Sequence, residues 1–416
     1  MKSVIQKRSF FYSFLSLLFI VLGCGGVKTV DFETPVDTTS KHIQIQEKKI
    51  FKLSDVGVYA SNQFDGARLN GLKKINDTTA YVFINPENTP INNSAYYAFK
   101  VWSDSPKSFY FTFQYPKGYK HRYMPKLKID NKWSLIDSIK VFKQDSIVTI
   151  KLNLNKSPMI VAAQEVNSST NVENWYTNLA KGKEDYVTIE SAGKSKLGRN
   201  LPVLDICIGD EKGKDIIILL TRQHPPEVTG YFAFQAFMQT VLNRSELSQK
   251  FLKKYHVIAL PIMNPDGVDM GHWRHNAGGV DLNRDWSIYN QPEIKQVVKF
   301  ITKSLNRNKS KLILGIDFHS TWYDVFYTNT VKEGTALPHF TDEWFMAIED
   351  HIEGYKVNEK PGNSMKPVSK GWFLHGQKAT GITFEIGDAT PKDDIKKVGN
   401  VTAEQMMHIL LNQTSN

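Results

Sequence analysis

Five consecutive aliphatic residues, Ile216-Ile217-Ile218-Leu219-Leu220, restrict the folds open to this chain more than any other stretch. A strand with one wet face alternates apolar and polar side chains, and a surface helix repeats its apolar positions every three or four residues. An unbroken run fits neither pattern. It fits a strand buried on both faces, which needs a sheet with helices packed above and below. The sequence downstream supplies these partners. Phe234, Phe237, Met238 and Val241 fall on one helical face. Further apolar strands occur at Val257-Ile258-Ala259-Leu260, from Leu312 to Phe318, and at Ile382-Thr383-Phe384. Strands alternating with helices predict an α/β domain over residues 165–416.

Upstream the periodicity changes. Phe109, Phe111, Phe113 and Tyr115 alternate at period two, as do Tyr97, Phe99 and Val101, and Val148, Ile150, Leu152 and Leu154. Turn-rich segments such as Ser103 to Ser108 separate them, so residues 49–160 read as an antiparallel all-β sandwich whose aromatics form its core. Residues 24–48 are polar and irregular and read as a tether. Before them, Lys2, Lys7 and Arg8 lead into an apolar run from Phe10 to Leu22. The run ends at Leu22-Gly23-Cys24, which resembles the cleavage box of bacterial lipoproteins, although Leu22 is larger than is usual there. Residues 1–23 are therefore expected to be a lipoprotein-type signal peptide. Cys24 would be the lipidated residue, and the bacterial cell envelope the location, with a membrane reached through the lipid anchor. An ordinary secretory signal is the alternative. Without residues 1–23 the chain keeps 49 of its 52 basic residues against 42 acidic ones, a net charge of +7. That excess lacks a dense basic block, so no nucleic acid is expected as a partner.

Cys24 and Cys207 are the only cysteines, so any metal must be held by His and carboxylates. Cys207 lies in an apolar strand-like run, where an inert thiol is the natural reading. Gly209 to Lys214 is one residue short of a phosphate loop, and no Gly-x-Ser-x-Gly elbow occurs. His224-Pro225-Pro226-Glu227 follows directly on the buried strand, at the end where α/β sheets place their ligands. His and Glu three apart can turn two borderline donors to one point and suit Zn²⁺. Such a pair also arises by chance. His319, at the end of the Leu312–Phe318 strand, can supply a third donor but reads equally as a core histidine.

More residues join these in order: Asn264-Pro265-Asp266-Gly267, then Arg274, then Gly279-Val280-Asp281-Leu282-Asn283-Arg284-Asp285-Trp286, and Gly381 to Glu385. Together they resemble the zinc carboxypeptidase family, the metallocarboxypeptidases of the carboxypeptidase A type, over residues 165–412. The motif wording most resembles that of the cytosolic carboxypeptidase-like branch, whose members carry a β-sandwich ahead of the catalytic domain. The resemblance implies a mixed eight-stranded sheet flanked by helices, one Zn²⁺ per chain, and hydrolysis of C-terminal peptide bonds by a zinc-activated water. It implies that His224, Glu227 and His319 hold the zinc, and that Asp281 accepts the proton on the outer nitrogen of His224. Glu385 would be the general base, Arg274 the oxyanion donor, and Asn283 and Arg284 the binders of the substrate's terminal carboxylate.

Two positions depart from the family pattern. Its mobile tyrosine, about 22 residues before the catalytic Glu, has no counterpart between Lys356 and Glu385; His375 is the polar candidate for that task. The residue that sets side-chain preference falls 15 before Glu385, at Lys370, and suggests acidic C-terminal residues by charge complementarity. Two other functions stay open. The same site could hydrolyse murein or γ-linked peptides of the envelope, making muropeptides the partner, or a relict hydrolase could serve as a surface binding lipoprotein.

Overall fold

The computed structural model describes residues 27–362 and 364–413, so the leader and Cys24 lie outside the described residues. Strands β1 (Ile50–Leu53), β2 (Val58–Ser61), β3 (Gly71–Asn76), β4 (Thr79–Phe83), β5 (Ala98–Ser103), β6 (Lys107–Gln114), β7 (Lys126–Ile129), β8 (Lys132–Leu135), β9 (Val141–Gln144), β10 (Ile147–Leu154) and β11 (Met159–Ala162) form a sandwich. Its sheets are ordered β1-β2-β5-β11-β7-β8 and β3-β4-β6-β10-β9, and the antiparallel expectation is corrected at one pair, since β4 runs parallel to β6. The period-two pattern explains its core: Phe109, Phe111 and Phe113 of β6 and Val148 to Leu154 of β10 turn alternate side chains inward. Trp273, from the second half of the chain, is buried in that same core, edge-on to Tyr115 and Tyr119.

Helix α1 (Ser169–Ala180) opens the second half. Its sheet contains β12 (Val187–Lys194), β13 (Asn200–Ile206), β14 (Ile216–Thr221), β15 (His256–Leu260), β16 (Leu312–Thr321), β17 (Val325–Thr328), β18 (Glu359–Pro361) and β19 (Thr380–Gly387). The order is β12-β13-β15-β14-β16-β19-β17-β18, with β15, β14, β16 and β19 mutually parallel. This is the mixed eight-stranded sheet expected. All six residues of β14 and all five of β15 are buried because helices cover both faces. On one face pack α2 (Val228–Val241), α3 (Glu246–Lys254), α6 (Phe340–His351) and α8 (Lys392–Asn412). On the other lie α5 (Pro292–Asn308) and α7 (Ser369–Gln377). A short helix, α4 (Pro265–Asp269), is capped by the Asn264 side chain, with Pro265 in its first turn. Gly230 lets α2 approach β16 closely, since a Cβ there would overlap the carbonyl of His319.

The expectation of a tether over residues 24–48 needs correction for its described part. Residues 27–49 form no helix or strand, but they are a strap laid along the second half as far as Lys41 and then against the sandwich, where Gln44 N–H donates to the Glu87 carbonyl and the Gln46 amide to that of Ala67. Val27, Val30 and Phe32 pack on the α5–α7 side of the core. Val30 and Ser287 exchange bonds, Tyr289 donates to the Lys28 carbonyl, and the buried Thr38 hydroxyl donates to Asp285 at 2.5 Å. Polarity alone suggested a free spacer. A few well-spaced apolar residues and the backbone's own donors and acceptors are enough to seat it.

Candidate active site

Three neighbouring parallel strands, β14, β16 and β19, end side by side. Thr221 pairs with Phe318, so the chain leaving β14 delivers His224 and Glu227 beside His319 on β16. Glu227 is also the N-cap residue of α2, where the helix dipole favours a carboxylate. His224 Nδ1 lies 2.8 Å from Glu227 Oε1, His319 Nδ1 lies 2.6 Å from Glu227 Oε2, and the two Nδ1 atoms are 3.2 Å apart. One donor atom from each of the three residues lies within 4.8 Å of the others. The outer nitrogens are also partnered. His224 Nε2 donates to Asp281 at 2.8 Å, and His319 Nε2 donates to Asp317 at 2.8 Å. A carboxylate on each Nε2–H leaves both Nδ1 lone pairs facing the common point. Two imidazoles and a carboxylate are a donor set that fits a catalytic zinc. A second group, Asp205, Glu211 and His256, lies at the other end of the sheet. There His256 bonds Asp205 at 2.6 Å and Glu211 is engaged by Arg307 and Asn308.

Glu385 stands directly opposite His319 in the β16–β19 ladder, so both project from the same face. Burial, helped by the neighbouring Glu227, pushes its carboxyl up to about 7, and its Oε2 is buried without a hydrogen-bond partner. Arg274 Nε donates to Asp281 at 2.7 Å, and Nη1 comes within 3.8 Å of Glu227. Asn283 is held by the backbone N–H of Ser369 on its Oδ1, and Arg284 donates to the Asn283 carbonyl. These residues line a cleft of about 530 Å³.

The remaining sequence candidates divide. Lys370 does line the cleft, but its ammonium is buried and donates to the carbonyls of Thr328 and Gly362, and burial brings it down to about 7. His375 is not brought to the cleft. It lies five positions further along α7, about 140° round the helix from Lys370. There it bonds the Ser364 carbonyl and meets the edge of Phe32. The Asn264–Gly267 motif is a helix cap and anchor, with Asp266 bound by Arg199 and by the Leu197 backbone. Asp285 and Trp286 are buried supports. Cys207 is buried, and burial raises its thiol.

Sequence reasoning missed several residues. Asp317 had a readable signal, since Asp-x-His on a strand puts both side chains on one face. Tyr327 pairs with Thr383 across β17 and β19 and lines the cleft, outside the interval searched for a phenol. Trp322 and, from the sandwich, Asn93, Ser94, Lys120 and Arg122 complete the wall. Arg122 reaches it through an ion pair with Asp388 at 2.8 Å and by stacking over Trp322.

Residues 172–405 match the zinc carboxypeptidase family. Over 159 residues the chain is 30% identical to cytosolic carboxypeptidase 6 of Mus musculus, an alignment covering 36% of this chain and 29% of that protein. The chain thus matches less than a third of the length of this curated relative. Two solved structures share the fold. A metallo-carboxypeptidase from Burkholderia cenocepacia superposes with a TM-score of 0.70 at 15% identity, over 85% of this chain and 98% of the other. A metallo-carboxypeptidase from Pseudomonas aeruginosa does so at 0.66 and 18% identity, over 84% and 98%.

Proposed function

We propose that this chain, which belongs to the zinc carboxypeptidase family, hydrolyses C-terminal peptide bonds. The observation that carries the reading is the meeting of His224, Glu227 and His319 beside a base, Glu385, paired rung to rung with one of them. Zinc, when bound by those three residues, supplies Lewis acidity toward a carbonyl oxygen and toward water. Glu385, raised toward neutrality, takes a proton from the attacking water and passes it to the leaving amide nitrogen. Arg274 lies against Glu227 and meets the negative charge that develops on the carbonyl oxygen. Asn283 and the guanidinium of Arg284 bind the substrate's free carboxylate, the contact that makes the enzyme an exopeptidase. Asp281 supports two of these groups at once, His224 and Arg274.

Chelation should abolish peptide hydrolysis and added zinc should restore it. Glu385→Gln should keep the metal and lose turnover. An active Glu385→Gln variant would remove the assigned base. The leader motif supports an envelope location with Cys24 lipidated, which palmitate labelling of wild type against Cys24→Ala would test. That location also favours a second substrate class, muropeptides with D-centres or γ-linked glutamate. Comparing release rates from muropeptides and plain peptides separates the two. Complete zinc and base sets argue against a relict domain.

A further inference from the structure

The loop that carries Arg274 is gripped from outside its own domain. Three consecutive backbone N–H groups, of Trp273, Arg274 and His275, donate to the carboxylate of Glu87 at 2.7, 3.0 and 2.7 Å. Glu87 lies between β4 and β5 of the sandwich and is fully buried. Its neighbour in the sandwich, the buried Arg68, stands 4.0 Å away and donates Nε to the Gly271 carbonyl, so it touches the same loop. Asn88 accepts from His275 Nδ1 at 2.7 Å and donates to the Gly279 carbonyl at 3.0 Å. Trp273 fills the sandwich core. Burial works to raise the Glu87 carboxyl, but the charges around it, Arg68 among them, and the N–H donors of the loop hold it below its ordinary value.

A buried charge costs several kcal/mol unless its partners offset that cost. Joining two domains does not need one, because Trp273 already does so with apolar area. A fixed anion does something apolar area cannot: it draws three successive N–H vectors to one point and so fixes the backbone from which Arg274 leaves. The far end of that side chain is tied to Asp281. The guanidinium is therefore located from both ends.

We infer that Glu87 is a positioning residue for Arg274, so that the sandwich domain sets the geometry of the oxyanion donor. The inference rests on the role given above to Arg274. The test measures kcat, KM, zinc content and melting temperature for Glu87→Gln in the full chain, in the wild-type and Arg274→Ala backgrounds. A carboxamide offers one acceptor oxygen and turns an NH₂ toward the remaining N–H groups. Misplacement of a catalytic group by about 1 Å can cost 10²-fold, so a kcat loss of about tenfold or more is expected, with KM and zinc content near wild type. Added to Arg274→Ala, the same change should cost less than about twofold, because the group it positions is gone. Equal losses in both backgrounds, or wild-type kcat in Glu87→Gln, would overturn the inference. Should Glu87→Gln not fold, Asn88→Ala weakens the same loop without touching the carboxylate and must show the same dependence on background. A fully active Arg274→Ala variant would instead strike the premise, and the single variant reveals that outcome on its own.

Discussion

Replacing Asp317 with Asn separates the support of one proposed zinc ligand from the proposed chemistry. Asp317 is fully buried, and its Oδ2 accepts from His319 Nε2 at 2.8 Å, from the Gln223 amide and from the Ser369 hydroxyl. Asn keeps the volume but removes the charge that raises the basicity of His319. Carboxylates behind metal-bound histidines are typically worth about 10–100-fold in metal affinity, or about 1.4–2.8 kcal/mol. No solvent reaches this oxygen to replace what is lost, which places the expected weakening in the upper half, about 30–100-fold. Competition for zinc against a chromophoric chelator reads it directly. With zinc in excess, kcat should return to within about threefold of wild type, because Asp317 does not itself line the cleft. Unchanged zinc affinity in a variant with the parent's melting temperature would refute the role given to Asp317.

Three further outcomes are expected. On the proposed mechanism Glu385 acts as a base only when ionised, so kcat/KM should rise with pH through its pKa. Burial and Glu227 set that pKa at about 7 in the metal-free chain and a bound cation lowers it, so the acid limb should fall at or below about pH 7, as a pH–rate profile would show. Lys370 spends two of its three N–H donors on the Thr328 and Gly362 carbonyls, leaving one for substrate. Lys370→Glu should lower the preference for C-terminal Glu over Leu by about tenfold, and equal turnover of both substrates before and after the change would discard the idea. Thr38→Val removes a donor to buried Asp285 and should cost about 1–3 kcal/mol, read as a drop of a few degrees in melting temperature.

What the sequence disclosed, and what it hid, follows from the range of the forces involved. Local periodicity sufficed for β14, because a run buried on both faces has a composition that no other element shares. His224 and Glu227 were visible because a strand's end and a three-residue spacing are both local. His375 misled because counting along the chain carries no helical phase. Tyr327 was hidden because its place beside Glu385 comes from antiparallel pairing across β19, not from nearness in sequence. Glu87, Arg122 and the strap were hidden for the same reason on a larger scale. Each acts on residues far along the chain, and a single sequence writes no period for such contacts.

The strap also decides from which flank this molecule is held. Its first described residues run beside Ser287 and Tyr289, on the α/β half. Whatever precedes Val27, whether a natural anchor, an affinity handle or a bead, is leashed there. A molecule so immobilised hangs by its α/β half, with the sandwich carried on it through Trp273, Glu87 and the Arg122–Asp388 pair.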